Sequence, residues 1–225
     1  MATFVFIHGA GGRGSYWDLV AEPLHTAGHD TVAVDLPCDD DAAGWSEYAD
    51  AVVDAIGDRR GDLVLVAQSL GGFTAPLVAD RVRVDLIVLV TAMVPRPGET
   101  GTEWWSNTGT AQAIAAQGLP DDADLFTQDV PPDVLEAAGE PRDQSDTPMD
   151  QPFPLERWPD VPTRFLLCRD DRFFPSAWMR EVVRDRLAIE PVEIPGGHCA
   201  FLSQPTALAA ALLRAWDERT SLGVG

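Results

Sequence analysis

The chain has 225 residues, 45% of them hydrophobic, and carries 36 acidic against 16 basic side chains for a net charge of −20. That length supports one sizeable soluble domain, or one with an insertion. No run of 18 apolar residues is present to span a membrane, and the acidic surface disfavours nucleic acid and anionic lipid as partners. Every basic residue is arginine, which excludes Schiff-base lysine chemistry and the phosphate lysine of a P-loop.

The first strand-like run, FVFIH at 4–8, leads straight into Gly9, Gly11 and Gly14, which spell G-x-G-x-x-G. Two chemistries fit. In a dinucleotide-binding βαβ unit the glycines would cradle a pyrophosphate, and Asp35, closing the second run TVAVD at 31–35, would take the ribose hydroxyls. Otherwise the glycines let a loop bend so that a backbone N–H stabilises an oxyanion. Further apolar runs follow at LVLVA (63–67), LIVLV (86–90), RFLLC (164–168) and PVEI (191–194). They read as parallel strands buried on both faces, and the helix-period segments between them predict a doubly wound, mostly parallel six-stranded α/β sheet. Ser46 is placed to cap a helix whose buried face carries Tyr48, Val52, Val53 and Ile56. Ser176 is placed to cap SAWMREVVRDRL, and Pro205 to open TALAAALLRAW.

The alternation lapses between strands four and five. Residues 96–158 are rich in Pro, Gly, Asp and Thr, with short helical stretches at TAQAIAAQG and PPDVLEAAG, and form an expected lid-like cap on a core of residues 1–95 and 159–225. Trp104, Trp105, Phe126 and Phe153 supply the apolar content of this insertion. Trp104 and Trp105 are candidates to line a binding site, with Gly11 and Cys199.

The third strand continues as LVLVAQSLGGFTAPLVADRV: strand, tight turn at Ser69, then helix. This is the setting of a nucleophile elbow. The residues two before and two after the serine must be small, and Ala67 and Gly71 are. A serine needs a base. Of four histidines, His25 and His29 lie near the turn before strand two, and His8 suits a bracing role. His198, in the Gly-Gly-His loop after the last strand, sits where open α/β sheets place their sites. An imidazole base needs an acid partner, and Asp170 and Asp171 after strand five are equally placed by position alone. The cysteines Cys38, Cys168 and Cys199 match neither a zinc motif nor a disulfide framework and read as free thiols. No metal or cofactor is expected, and Asp39 to Asp41 read as a solvated turn. The first residues lack the pattern of a secretory signal, so a cytoplasmic location is expected.

FVFIHGAGG, LHTAGHDTVAVDL, the AQSLGG elbow, Asp171 four residues before Pro175, and GGH at His198 together resemble the α/β-hydrolases. The similarity is greatest to the plant methylesterase and hydroxynitrile lyase group and its bacterial relatives. The resemblance implies Ser69 as nucleophile, His198 as base and Asp171 as acid, with the N–H groups of Ala10 and Leu70 as oxyanion donors and Asp35 in a structural role. The implied activity is that of a serine hydrolase on a small carboxylic ester, or a thioester or lactone. The alternatives are carbon–carbon bond hydrolysis or a lyase step at the same site, or a small-ligand receptor without turnover. The lyases carry threonine where Gly9 stands and lysine where Cys199 stands, which disfavours lyase chemistry.

Overall fold

A computed structural model describes residues 1–219. Six strands, β1 (Thr3–Ile7), β2 (Asp30–Val34), β3 (Leu63–Gln68), β4 (Leu86–Val90), β5 (Thr163–Cys168) and β6 (Val192–Ile194), form one sheet in the order β2-β1-β3-β4-β5-β6. Every pairing is parallel, with Ile7 in register with Val34 on one side and Ala67 on the other.

Successive side chains point to opposite faces of a strand, so each central strand feeds two cores. Val5, Ile7, Leu65, Ala67, Ile87 and Leu89 enter one core, and Phe4, Phe6, Val64, Val66, Val88 and Val90 enter the other. The first is covered by α2 (Trp45–Ile56), α3 (Gly71–Arg81) and α8 (Ser176–Leu187), the second by α1 (Asp18–Thr26) and α10 (Pro205–Asp217). The expectation of burial on both faces fails at the two sheet edges. Ala33 of β2 and Val192 and Glu193 of β6 are exposed, because an edge strand has a neighbour on one side only.

Two capping expectations are corrected. Gly44, not Ser46, precedes α2, and the Glu47 carboxylate accepts the Gly44 N–H at 2.8 Å, while the Ser46 hydroxyl accepts from Arg81. Ser176 is the first residue of α8 rather than its cap, which falls on Pro175. Pro205 opens α10 as expected, where its missing N–H costs nothing. Between β4 and β5 the chain makes four short helices, α4 (Gly101–Thr108), α5 (Thr110–Ala115), α6 (Pro132–Ala138) and α7 (Thr147–Asp150). A short helix, α9 (Ala200–Ser203), precedes α10. No helix among the described residues is long and apolar enough to cross a membrane.

Candidate active site

Strand β3 ends at Gln68, and the next residue, Ser69, has φ 51° before α3 begins. A non-glycine residue in the left-handed region is strained and persists only where its surroundings impose it. Here the surroundings are close backbone. A Cβ on Gly71 would lie 2.8 Å from the Ile7 carbonyl oxygen, and one on Gly72 would overlap the Met93 carbonyl, so glycine alone lets the elbow seat against β1 and the segment after β4. The Ser69 carbonyl accepts N–H bonds from Gly72 at 3.1 Å and Met93 at 2.9 Å, which fix the turn.

Asp171 lies just beyond β5 and is 3% exposed. Its Oδ1 accepts the N–H groups of Phe173 and Phe174, each at 2.9 Å, while its Oδ2 accepts from the Thr91 hydroxyl and meets His198 Nδ1 at 3.0 Å. An ionised carboxylate can only accept, so the imidazole proton sits on Nδ1 and Nε2 is left with a free lone pair. The edges of Phe126, Phe173 and Phe174 surround the His198 ring at centroid distances of 5.5, 5.0 and 5.1 Å. Position in the sequence leaves Asp170 and Asp171 equivalent; geometry separates them. Asp170 is exposed, pairs with Arg169 at 3.2 Å and accepts the Gly196 N–H, tying two loops together without touching the imidazole.

The glycine loop after β1 lies over this turn. A Cβ on Gly9 would fall 2.7 Å from Ser69 Cβ, so the loop can pass the serine only without a side chain there. Buried His8 braces it. Its Nδ1 donates to the Gly9 carbonyl at 2.7 Å, its Nε2 accepts the Leu36 N–H at 3.0 Å, and burial pushes its pKa down. Asp35 accepts the Gly14 N–H at 2.7 Å and so holds the loop's far end. Among the described residues, no acceptor is bonded to the N–H of Ala10 or of Leu70, and both residues line the cavity that Ser69 and His198 also line.

That cavity has a volume of about 600 Å³. A sequence profile of the Alpha/beta hydrolase family matches residues 4–211. The chain belongs to the alpha/beta hydrolase family. It is 26% identical to the pyrethroid hydrolase of Sphingobium wenxiniae, over 94% of this chain and 86% of that protein. It is 24% identical to methylesterase 7 of Arabidopsis thaliana, over 96% of each. Among solved structures, the pyrethroid hydrolase of Sphingobium faniae shares the fold with a TM-score of 0.78 at 23% identity, covering 98% of this chain and 99% of that one.

The family member's cavity is walled by apolar side chains, among them Met93, Trp105, Phe126, Phe173, Phe201 and Leu202. Of the residues expected to line it, Gly11, Trp105 and Cys199 do. Trp104 does not. It is fully buried beneath the surface, donates its indole N–H to the Val94 carbonyl at 3.1 Å and packs on Phe174 and Trp178. Its neighbour Trp105, one position along the same helix and in contact with it, lines the cavity instead, a distinction that composition could not carry. Phe153 likewise packs into the core, on Phe73. The Cys199 thiol is pushed up to about 12 by burial and by the nearby Asp171 and Asp129 carboxylates, so it is protonated and serves as wall. No cluster of three metal-ligating side chains occurs among the described residues.

Sequence reasoning missed Thr91. The residue directly follows β4 with φ 39°, a costly conformation for a β-branched side chain, and aims its hydroxyl at Asp171. A threonine immediately after the uniformly aliphatic run LIVLV was the available signal. It also missed Gln144, whose side chain accepts the Gly11 N–H at 3.2 Å and donates to the Tyr48 hydroxyl at 3.0 Å.

Proposed function

We propose that the protein is a serine hydrolase that cleaves small, neutral carboxylic esters through an acyl-enzyme. The observation that carries this reading is the hydrogen-bonded His198–Asp171 pair, whose histidine lines one apolar cavity with a serine held in a strained elbow. In the proposed cycle His198 Nε2 takes the Ser69 hydroxyl proton as the oxygen attacks the ester carbonyl. The N–H groups of Ala10 and Leu70 donate to the oxyanion that develops. Collapse breaks the bond to the alkoxy oxygen, which leaves with the proton from Nε2. Water then gives up a proton to the same nitrogen and attacks the acyl carbonyl; the bond to Ser69 Oγ breaks, Oγ takes the proton back from Nε2, and the acid is released. Asp171 stays ionised throughout and offsets the charge of the transient imidazolium. Each oxyanion donor contributes about 3 kcal/mol to the barrier reduction, and proton transfer through the imidazole about 10² to 10⁴ in rate.

The relatives named as a pyrethroid hydrolase and a methylesterase support ester chemistry. Substrate charge follows from the lining. No arginine lines the cavity, whose ionisable carboxylate, Asp124, already accepts from Phe126, Thr127 and the Thr127 hydroxyl. A free carboxylate on the substrate would therefore be desolvated without a partner. The insertion between β4 and β5 supplies Trp105, Phe126, Leu135 and Met149 to the lining and is assigned the role of a cap over the site.

Intact-mass labelling with a fluorophosphonate tests the reading. One adduct is expected on the wild type and none on Ser69→Ala, with turnover of short-chain nitrophenyl esters lost in parallel. A folded wild type that takes up no probe would overturn it.

A further inference from the structure

The insertion does more than cover the cavity: two adjacent residues of it hold the loops that carry His198 and Asp171. Asp129 Oδ2 accepts the N–H of Gly197, the residue before His198, at 2.7 Å. Gln128 Nε2 donates to the carbonyl of Asp170, the residue before Asp171, at 3.0 Å. The second oxygen of Asp129 is buried and has no hydrogen-bond partner among the described residues. A buried carboxylate oxygen left unpaired is costly, and such exceptions call for a reason beyond packing.

Gly197 supplies an independent sign that the closure is tight. It is not among the residues with positive φ, so nothing in its own backbone demands glycine. A Cβ there would instead lie 2.5 Å from Gln128 Nε2 and 2.7 Å from Asp129 Oδ1. The glycine is matched to the insertion's approach, not to the turn, since a Cβ would have to displace the Gln128 and Asp129 side chains. Elsewhere the His198 loop is held by the Asp171 carboxylate at His198 Nδ1, by the Gln68 amide, which donates to the His198 carbonyl at 3.2 Å, and by the reciprocal bonds between Asp170 and Gly196.

We propose that Asp129 is a positioning residue: by accepting the Gly197 N–H it sets the placement of the imidazole against Ser69. The proposal rests on the serine hydrolase reading above. Misplacing a reacting group by about 1 Å costs on the order of 10²-fold in rate. Asp129→Ala is therefore expected to lower kcat on a short-chain nitrophenyl ester by about 10- to 100-fold with KM changed less than about 2-fold. Asp129→Asn, whose amide oxygen supplies the same acceptor, is expected to return kcat to within about 3-fold of the wild type.

Gly197→Ala approaches the same contact from the opposite side and should lower kcat similarly; in a Gln128→Ala/Asp129→Ala background, where the side-chain atoms nearest the Cβ are gone, it should add little further loss. If Asp129→Ala fails to fold, Gly197→Ala decides the matter alone, and wild-type kcat in that variant overturns the proposal. An Asp129→Ala enzyme with wild-type kcat, an Asn variant as slow as the Ala variant, or full additivity in the cycle overturns the proposal. Failure of the underlying reading is separate, because a wild type that neither takes the fluorophosphonate nor turns over ester shows it before any Asp129 variant is made.

Discussion

Replacing Asp171 by Asn should abolish most turnover while leaving the fold intact, and the structure says why. Asp171 accepts four hydrogen bonds, two from backbone N–H groups at Oδ1 and two, from Thr91 and His198, at Oδ2. An asparagine has one acceptor and one donor end. Turning its NH₂ toward Phe173 and Phe174 would set donors against donors and leave two buried N–H groups unpaired, at about 1–3 kcal/mol each. The side chain therefore keeps its oxygen there and presents NH₂ to Thr91 and His198. The threonine hydroxyl can rotate to accept. His198 Nδ1 must also accept, which moves the imidazole proton to Nε2, where the Ser69 proton was to go. In serine protease triads this tautomer error lowers kcat by about 10⁴, equivalent to about 5.5 kcal/mol. Because four hydrogen bonds persist, the stability change should stay under about 1 kcal/mol, a Tm shift of no more than about 4 °C. Steady-state turnover of a nitrophenyl ester, the rate of fluorophosphonate labelling and a thermal melt together read the outcome. A variant retaining more than a tenth of wild-type kcat would refute the tautomer argument.

Three further substitutions probe the supports. Thr91→Val removes one donor from the Asp171 carboxylate at constant volume and should cut kcat by about 10-fold with KM unchanged, measured on the same ester. Arg186 and Glu99 form an ion pair at 2% and 3% side-chain exposure, with Asn107 and the Arg96 N–H also on the carboxylate. Arg186→Met should cost about 3–5 kcal/mol at neutral pH, seen as a Tm drop of about 6–20 °C. Burial pushes Glu99 up, but its hydrogen bonds win and hold it below 4.5, so its contribution is present above that pH and fades as pH falls through the lowered value. Without Arg186 burial prevails and Glu99 rises, so the deficit should narrow toward pH 4; a deficit independent of pH would contradict this. The folded pKa of His8 lies below 6.5, so its contribution is complete above pH 6.5 and is lost as pH falls through the folded value. His8→Gln, which cannot be protonated, should flatten that part of the wild-type Tm profile.

The sheet was legible because central parallel strands are buried on both faces and read as unbroken aliphatic runs; LIVLV at 86–90 matches β4 at both ends. The serine was legible because strand, Ser69 and Gly71–Gly72 occur in one stretch of sequence. What escaped depends on contacts between distant segments. The capping role assigned to Ser46 went instead to Gly44 because Gln151, 106 residues away, accepts the Trp45 N–H at that helix start. Thr91 is 80 residues from Asp171, and Gln144 is 133 from Gly11, separations at which no local spacing carries a signal. Trp104 and Trp105 share one composition and one helix, and only packing tells the buried ring from the one in the cavity wall.

The insertion shows the same division most clearly. From its Pro-, Gly-, Asp- and Thr-rich sequence it reads as a lid-like cap. In the structure its contacts with the core fall on opposite sides of the cavity. The Arg142 N–H and the Gln144 side chain bind the carbonyl and N–H of Gly11 in the loop beside Ser69, while Gln128 and Asp129 bind the loops of Asp171 and His198. Both groups of contacts reach backbone atoms, so the core sequence bears almost no mark of them except glycine at two of the close approaches, Gly11 and Gly197. An insertion joined to the core in this way constrains the spacing between the glycine loop beside Ser69 and the histidine loop. Substitutions at 128–129 and 142–144 should therefore alter turnover, whereas the exposed positions Asp121 and Asp122, which make no such bond among the described residues, can change with little effect.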